Sequence, residues 1–191
     1  MDFFLVVVTS YLIGSIPFGL IITKIFLQKD IRNIGSGNIG ATNVLRLGNK
    51  FLGYTTLILD ITKAILPVIF LKYNHPDLIY ISALSVFLGH VFPIWLKFKG
   101  GKGVAAYLGI LLSINFIYGL VFGFFWIIIF LIFRYSSLSS LVGSFSIPIY
   151  LFLNNENNII FFIIMFVLIF YTHRENIKRL KNKEEIKSNI Y

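Results

Sequence analysis

Phe124-Phe125-Trp126-Ile127-Ile128-Ile129-Phe130-Leu131-Ile132-Phe133 carries no charge, and the apolar runs Leu5–Val8 and Ile159–Phe170 repeat the pattern on either side of it. Runs of this kind are read as lying in hydrocarbon. The rest of the chain agrees: of 191 residues, 57% are hydrophobic and 13% charged, with 21 Phe and 10 Tyr, a balance that a soluble domain of this length could not hide from water. The fold class is therefore an all-α integral membrane protein. Working outward from the quoted run, seven transmembrane helices are expected at roughly 3–24, 51–72, 78–96, 103–115, 117–133, 138–153 and 158–172. Several are short or contain Gly14, Pro17, Pro67 or Pro148, so broken or partial helices are expected. The alternative is five spans, with 103–133 and 138–172 each taken as one long helix.

Met1-Asp2 offers no basic n-region and no small-residue cleavage site follows, so the first apolar stretch is expected to stay as a helix rather than be removed. The absence of Cys excludes disulfides, thiolate metal sites and a thioester acyl-enzyme.

With the N-terminus outside, one side of the bilayer collects Lys24, Lys29, Arg32, Arg46, Lys50, Lys97, Lys99, Lys102, Arg134 and the basic tail from Arg174 to Lys187, while the other keeps Lys72. The positive-inside rule assigns the rich side, and the C-terminus with it, to the cytoplasm. Asp2, Asp77 and Glu156 fall outside. This sorting and attraction to anionic lipid explain the net charge of +9 without nucleic acid. The distal tail, with Glu184-Glu185 among its lysines, reads as a solvated or headgroup-hugging helix.

Three polar stretches on the basic side are too peculiar to be connectors. In Asn33-Ile34-Gly35-Ser36-Gly37-Asn38-Ile39-Gly40-Ala41-Thr42-Asn43-Val44-Leu45-Arg46, three glycines within six residues allow consecutive N–H groups to converge on an anion. Ser36, Asn38, Thr42 and Asn43 add side-chain donors and Arg46 a bidentate fork, which together make a phosphate cradle. The literal G-x-G-x-x-G at 35–40 lacks the preceding strand of a dinucleotide site. A plain flexible loop would not need the interleaved amides and the arginine.

The second stretch runs from Gly89-His90 through Lys97-Phe98-Lys99-Gly100-Gly101-Lys102-Gly103. It resembles a Walker loop, but Leu96 replaces its first glycine and Gly103 the magnesium-binding hydroxyl, so no nucleotidase is implied. What remains is a tight turn presenting Lys102 just before a helix N-terminus. Lys97 and Lys99 read as interface anchors, and His90 as either catalytic or a hydrogen-bonded histidine at a helix end. The third stretch, His173-Arg174-Glu175-Asn176-Ile177-Lys178-Arg179, puts His173 and Asn176 on one face if the last helix continues. Arg134-Tyr135-Ser136-Ser137-Leu138-Ser139-Ser140 offers hydroxyls for a helix cap or a further donor. Within the second span, Asp60 and Lys63 are expected to pair with each other.

Taken together, Gly14-Ser15-Ile16-Pro17-Phe18-Gly19, Ser36 to Arg46, Gly89-His90 through Gly103 and His173 to Arg179 resemble the bacterial glycerol-3-phosphate acyltransferases that use acyl phosphate as donor, the PlsY family. The resemblance spans nearly the whole chain, with the loop motifs in the family's order and spacing. It implies a single membrane-embedded acyltransferase domain over 1–191 with cytoplasmic motif loops at 33–50, 89–103 and 173–179, in a bacterial cytoplasmic membrane. The reaction implied is transfer of a fatty acyl group from acyl phosphate to the 1-hydroxyl of glycerol 3-phosphate, the first acylation of phospholipid biosynthesis. Ser36, Arg46, Lys102, Ser140, His173 and Asn176 would surround glycerol 3-phosphate, and Gly37, Asn38, Gly40 and Thr42 would hold the acyl phosphate. Gly100 and Gly101 would join the substrate-binding loop, with Arg46, Lys102 and His173 as the catalytic groups.

Phosphate is already a good leaving group, so positioning and anion stabilisation suffice, and no cofactor or metal is expected. The base is either His173 or a substrate phosphate oxygen, and the lack of an acidic orienter for His173 favours the phosphate oxygen. The expected partners are the two substrates, membrane lipid and the peripheral enzyme that forms acyl phosphate. A transporter for a phosphorylated solute would need polar groups along a path through the bilayer and usually internal repeats, neither of which is present in the sequence.

Overall fold

The chain begins its first helix where Asp2 accepts a hydrogen bond from the Phe4 amide at 3.0 Å and caps α1, Phe3–Gly14. The structure, a computed structural model, describes residues 2–187. Pro17 supplies no N–H and disfavours helix at Ile16, so the chain breaks at Ser15-Ile16-Pro17 before α2, Phe18–Leu27. A short helix α3, Ala41–Leu45, follows the glycine loop. Asn49 then caps α4, Lys50–Asn74, by accepting from Leu52 N at 3.0 Å. Next come α5, Ile79–Val91, and α6, Val104–Ile114, then α7, Phe116–Phe133, α8, Ser136–Leu153, α9, Ile159–Thr172, and α10, Arg174–Lys181. No strand occurs among the described residues.

Each of the seven apolar segments expected from the sequence is helical. Five stretches are long and apolar enough to cross a membrane: Phe3–Leu27, Lys50–Asn74, Pro76–Leu96, Phe116–Phe133 and Ser136–Leu153. A sixth forms if α9 and α10, bent by 61°, count as one span. Helix α6 has 11 residues and so a length of about 16 Å, roughly half the hydrocarbon core. The long helices of the five-span alternative are interrupted, at Asn115, whose extended backbone and side chain cap α7, and at 154–158. Of the prolines expected to break helices, Pro17 does so. Pro67 and Pro148 lie inside continuous, buried stretches of α4 and α8. In hydrocarbon, an opened helix would expose more unpaired backbone than the single bond each proline removes.

The chain divides into two compact units, Met1–Ile114 and Asn115–Tyr191. In the first, α1 packs on α5 through small residues. Gly14 lies against the Val86 backbone and Gly89 against the Tyr11 backbone, with no room for a Cβ at either. Ser10 and Ser82 share a buried 2.8 Å hydrogen bond across the same contact. Helix α4 packs on both α5 and α6, and Lys72 Nζ donates to the carbonyls of Ser113 and Ile114 at 2.9 Å each, closing the C-terminus of α6. In the second unit, α8 packs on α7 and α9. Trp126 stacks on Phe130, Tyr118 packs edge-on against Tyr150 and Phe162, and Phe145 meets Phe166. Large apolar side chains such as Ile127, Leu131, Ile132 and Phe152 remain exposed, as a surface in lipid requires.

Candidate active site

The glycine loop is organised by Asn43. Its Oδ1 accepts from Ser36 N at 3.0 Å, and its Nδ2 donates to the carbonyls of Ile31, Ile34 and Asn38 at 3.2, 2.9 and 2.9 Å. Gly35 and Gly37 sit at φ of 58° and 70°, which lets the chain fold back around this buried amide. Three of the loop's own N–H groups are engaged within it: Ser36 N by Asn43, Gly37 N by the Ile34 carbonyl at 3.0 Å, and Gly40 N by Asn38 Oδ1 at 2.8 Å. The same frame carries the side chains of Ser36, Asn38, Thr42 and Arg46, the last at the C-terminal end of α3. Just upstream, Arg32 grips Asp30 through Nε and Nη2 and holds that carboxyl at about 2.

The lysine loop leaves α5 through the turn Ile94–Leu96 and returns as α6. Tyr11 donates to the Phe92 carbonyl at 2.7 Å and Trp95 Nε1 to Ser15 Oγ at 2.7 Å, pinning this turn to the first helix and its break. Lys97 and Lys99 are exposed, as interface anchors would be, whereas Lys102 is half-buried two residues before α6 begins. An apolar cluster of Leu20, Ile22, Ile31, Ile39, Val44 and Leu52 underlies the glycine loop, and Leu96 packs against the same cluster. Both polar loops of the first unit therefore rest on one foundation.

Beneath them lies the expected buried pair. Lys63 Nζ is 2.7 Å from Asp60 Oδ1, and it also donates to the Ile16 carbonyl at 2.6 Å in the break between α1 and α2.

In the second unit, His173 stands at the bend between α9 and α10 rather than on a continuing helix. It is buried, and its Nδ1 lies 2.8 Å from the Ile169 carbonyl. A carbonyl accepts, so Nδ1 carries the proton and Nε2 is the acceptor nitrogen of the neutral ring. Asn176 is also buried. Its Nδ2 donates to Glu185 Oε1 at 2.7 Å, and its Oδ1 has no hydrogen-bond partner among the described residues.

Glu185 also accepts from Ser137 Oγ at 2.8 Å and from Arg179 Nε at 2.7 Å. Burial pushes this carboxyl up, but the donors from Asn176, Arg179 and Ser137 outweigh it and hold the group below its ordinary value. Ser140 Oγ donates to the Ser136 carbonyl at 2.8 Å and accepts from Trp126 Nε1 at 3.1 Å. The serines at the start of α8 do not cap it. Ser139 and Ser140 bond back to carbonyls four residues earlier, and Ser137 holds Glu185.

The family profile described as glycerol-3-phosphate acyltransferase matches residues 4–183. The chain belongs to the glycerol-3-phosphate acyltransferase family. It is an acyltransferase, and the PlsY resemblance of its four motifs is borne out. A glycerol-3-phosphate acyltransferase of Pelagibacter ubique (strain HTCC1062) is 70% identical over 191 residues, 100% of both chains. One of Bradyrhizobium diazoefficiens is 49% identical over 180 residues, 93% of this chain and 91% of that one. Among solved structures, PlsY, an integral membrane glycerol 3-phosphate acyltransferase in its glycerol 3-phosphate form, matches with a TM-score of 0.93 and 36% identity over 98% of this chain and 96% of that one. Its lysophosphatidic acid form matches with a TM-score of 0.87 at the same identity, over 97% and 94%.

Within this acyltransferase, the first unit thus carries Ser36, Gly37, Asn38, Gly40, Thr42, Arg46, Gly100, Gly101 and Lys102, and the second Ser140, His173 and Asn176. Three residues make hydrogen bonds that the sequence does not show. Asn43 reads as a phosphate donor, yet its amide is fully engaged with the loop backbone. Trp126 reads as one residue of an apolar bilayer span, yet its indole N–H holds Ser140. Glu185 reads as solvated tail, yet it is the acceptor around which Ser137, Asn176 and Arg179 assemble.

Proposed function

We propose that this acyltransferase transfers a fatty acyl group from acyl phosphate to the 1-hydroxyl of glycerol 3-phosphate, releasing 1-acylglycerol 3-phosphate and inorganic phosphate. The observation that carries the reading is the common anchoring of the glycine loop and the lysine loop on one apolar cluster, which gives two phosphate-binding elements a fixed frame. Two phosphates brought to one reaction repel each other, and the charges of Arg46 and Lys102 offset that repulsion. The side chains of Ser36, Arg46 and Lys102 serve the glycerol 3-phosphate phosphate, while Asn38 and Thr42, on the Gly37–Thr42 backbone, serve the acyl phosphate. Gly100 and Gly101 let the lysine loop approach.

In the second unit, Ser140 Oγ, whose proton lies on the Ser136 carbonyl, keeps a lone pair that can accept from a glycerol hydroxyl, as can the unpartnered Oδ1 of Asn176. The hydroxyl oxygen attacks the acyl carbonyl carbon, the carbon–oxygen bond to phosphate breaks, and its electron pair leaves on phosphate. The hydroxyl proton passes to His173 Nε2. The Ile169 carbonyl supports this choice, because it supplies the orienter that the sequence does not show, fixing the tautomer whose Nε2 accepts. Residues 1–191 act as one catalytic domain in a bacterial cytoplasmic membrane, with the motif loops facing the cytoplasm and the peripheral enzyme that makes acyl phosphate as supplier.

The test is incubation of purified protein with palmitoyl phosphate and labelled glycerol 3-phosphate, which should yield lysophosphatidic acid. Inorganic phosphate should inhibit in competition with the donor. Palmitoyl-CoA and palmitoyl-acyl carrier protein should be inert. Robust turnover with either would overturn the donor assignment.

A further inference from the structure

The phosphate-binding role proposed for Lys102 depends on where its loop runs, and that path is set by one side chain outside the substrate-binding set. Gly101 N donates to the His90 carbonyl at 3.1 Å, and Gly100 N to the Val91 carbonyl at 3.0 Å. A Cβ built on Gly101 would overlap the far edge of the His90 imidazole, whose Nε2, Cε1 and Cδ2 are the atoms nearest to it. A Cβ on Gly100 would instead overlap backbone, the carbonyls of His90 and Val91, together with Pro93. The loop therefore lies directly on the His90 ring. The ring cannot recede: it is buried, and its Nδ1 edge stands 3.7 Å from Asp60 Oδ1, which is itself fixed by Lys63. His90 Nδ1 has no hydrogen-bond partner among the described residues.

We infer that His90 is a positioning residue. Backed by the buried Asp60–Lys63 pair, its ring sets the height of Gly101, and thereby the placement of Lys102 against a substrate phosphate. This rests on Lys102 being a phosphate ligand, as proposed above.

The inference predicts suppression. Gly101→Ala should push the loop off the ring and raise KM for glycerol 3-phosphate about tenfold or more, with kcat within about threefold. His90→Asn keeps a polar group near the Nδ1 position but removes the far edge of the ring, so the Cβ has room. Adding Gly101→Ala in that background should change KM by less than about threefold. Gly100→Ala should be equally harmful with and without His90→Asn, since its obstacle is backbone. Thermal midpoints in detergent accompany each variant.

An equal KM penalty for Gly101→Ala in both backgrounds, or none in the wild-type background, would overturn the inference. Should Gly101→Ala alone not fold, the double variant decides: a KM near that of His90→Asn supports the inference and a raised KM overturns it. Lys102→Ala is measured alongside. If it retains wild-type affinity for glycerol 3-phosphate, the phosphate assignment and this inference fall together. If it loses affinity while the suppression is absent, the inference alone falls.

Discussion

Asn43 and Arg46 are three residues apart, and their side chains do different work. Asn43 faces inward, its donors on three loop carbonyls and its acceptor on Ser36 N, whereas Arg46 stands at the C-cap of α3. Asn43→Asp keeps the size and the acceptor but deletes both donors and sets a carboxylate against the carbonyls of Ile31, Ile34 and Asn38. It should cost about 2–4 kcal/mol of loop order, read as at least tenfold lost activity and a lowered thermal midpoint. Arg46→Ala and Lys102→Ala should each remove a charge-assisted contact made to the substrates, about 2–4 kcal/mol or 30-fold or more in kcat/KM, with the thermal midpoint little changed. Lys97→Ala, at an exposed position, should leave kcat/KM within about twofold. If it proved as harmful as Lys102→Ala, the phosphate site would be misplaced. Arg46 and Lys102 stand out in the sequence as candidates because a fork and an ammonium beside glycines have few other uses at a membrane surface. The role of Asn43 is not, because its partners are backbone carbonyls that converge only when the loop closes.

At the level of elements, the end of α10 decides how the second unit is read. Glu184 N bonds to the Arg179 carbonyl at 2.8 Å and Lys183 N to the Leu180 carbonyl at 3.2 Å, with Lys183 at φ of 60°. This is a Schellman stop, and it turns the chain back so that Glu185 reaches Asn176, nine residues earlier. The usual signal for such a reversal is glycine, and here lysine takes the left-handed position, so the sequence reads as a tail running on into solvent. Glu185→Gln should place an amide among donors and cost about 2 kcal/mol of stability, discounted for the open flank of the Arg179 contact. The pH dependence follows from the depressed carboxyl. Its contribution is present above the ordinary glutamate value of 4.5 and is lost as pH falls through the lower, folded-state value. Thermal midpoints of wild type and Glu185→Gln should therefore differ at pH 7 and converge toward pH 3. A gap that stays constant over that range would show that the carboxylate charge is not what organises Ser137, Asn176 and Arg179.

Across the whole molecule, the charge sorting that gave an orientation from sequence can be compared with the helix ends themselves. In the first unit, Lys24 and Lys29 follow the course of α2, Lys50 opens α4, and Lys97, Lys99 and Lys102 join α5 to α6. The opposite end of α4 carries Lys72 and leads into Asp77. Lys72 is no counterexample to the positive-inside rule, since its ammonium is engaged in closing α6 on the Ser113 and Ile114 carbonyls. In the second unit, the loop between α8 and α9 holds Glu156, whereas α10 and the residues after it hold Arg174, Lys178, Arg179, Lys181, Lys183 and Lys187. The apolar segments were thus legible, but their capacity to span was not. Composition marks a stretch as lipid-compatible, while only the capped ends show that α6 stops after 11 residues. Because the chain is free of Cys, single cysteines can test the orientation directly. Lys50, Asp77, Glu156 and Asn182 are all exposed. In intact cells, an impermeant maleimide should label Asp77→Cys and Glu156→Cys and should reach Lys50→Cys and Asn182→Cys only after the membrane is opened. Labelling of either of the latter pair in sealed cells would place a motif loop on the outer face, where an acyl phosphate made in the cytoplasm could not reach it, and the proposed reaction would fail on topology alone.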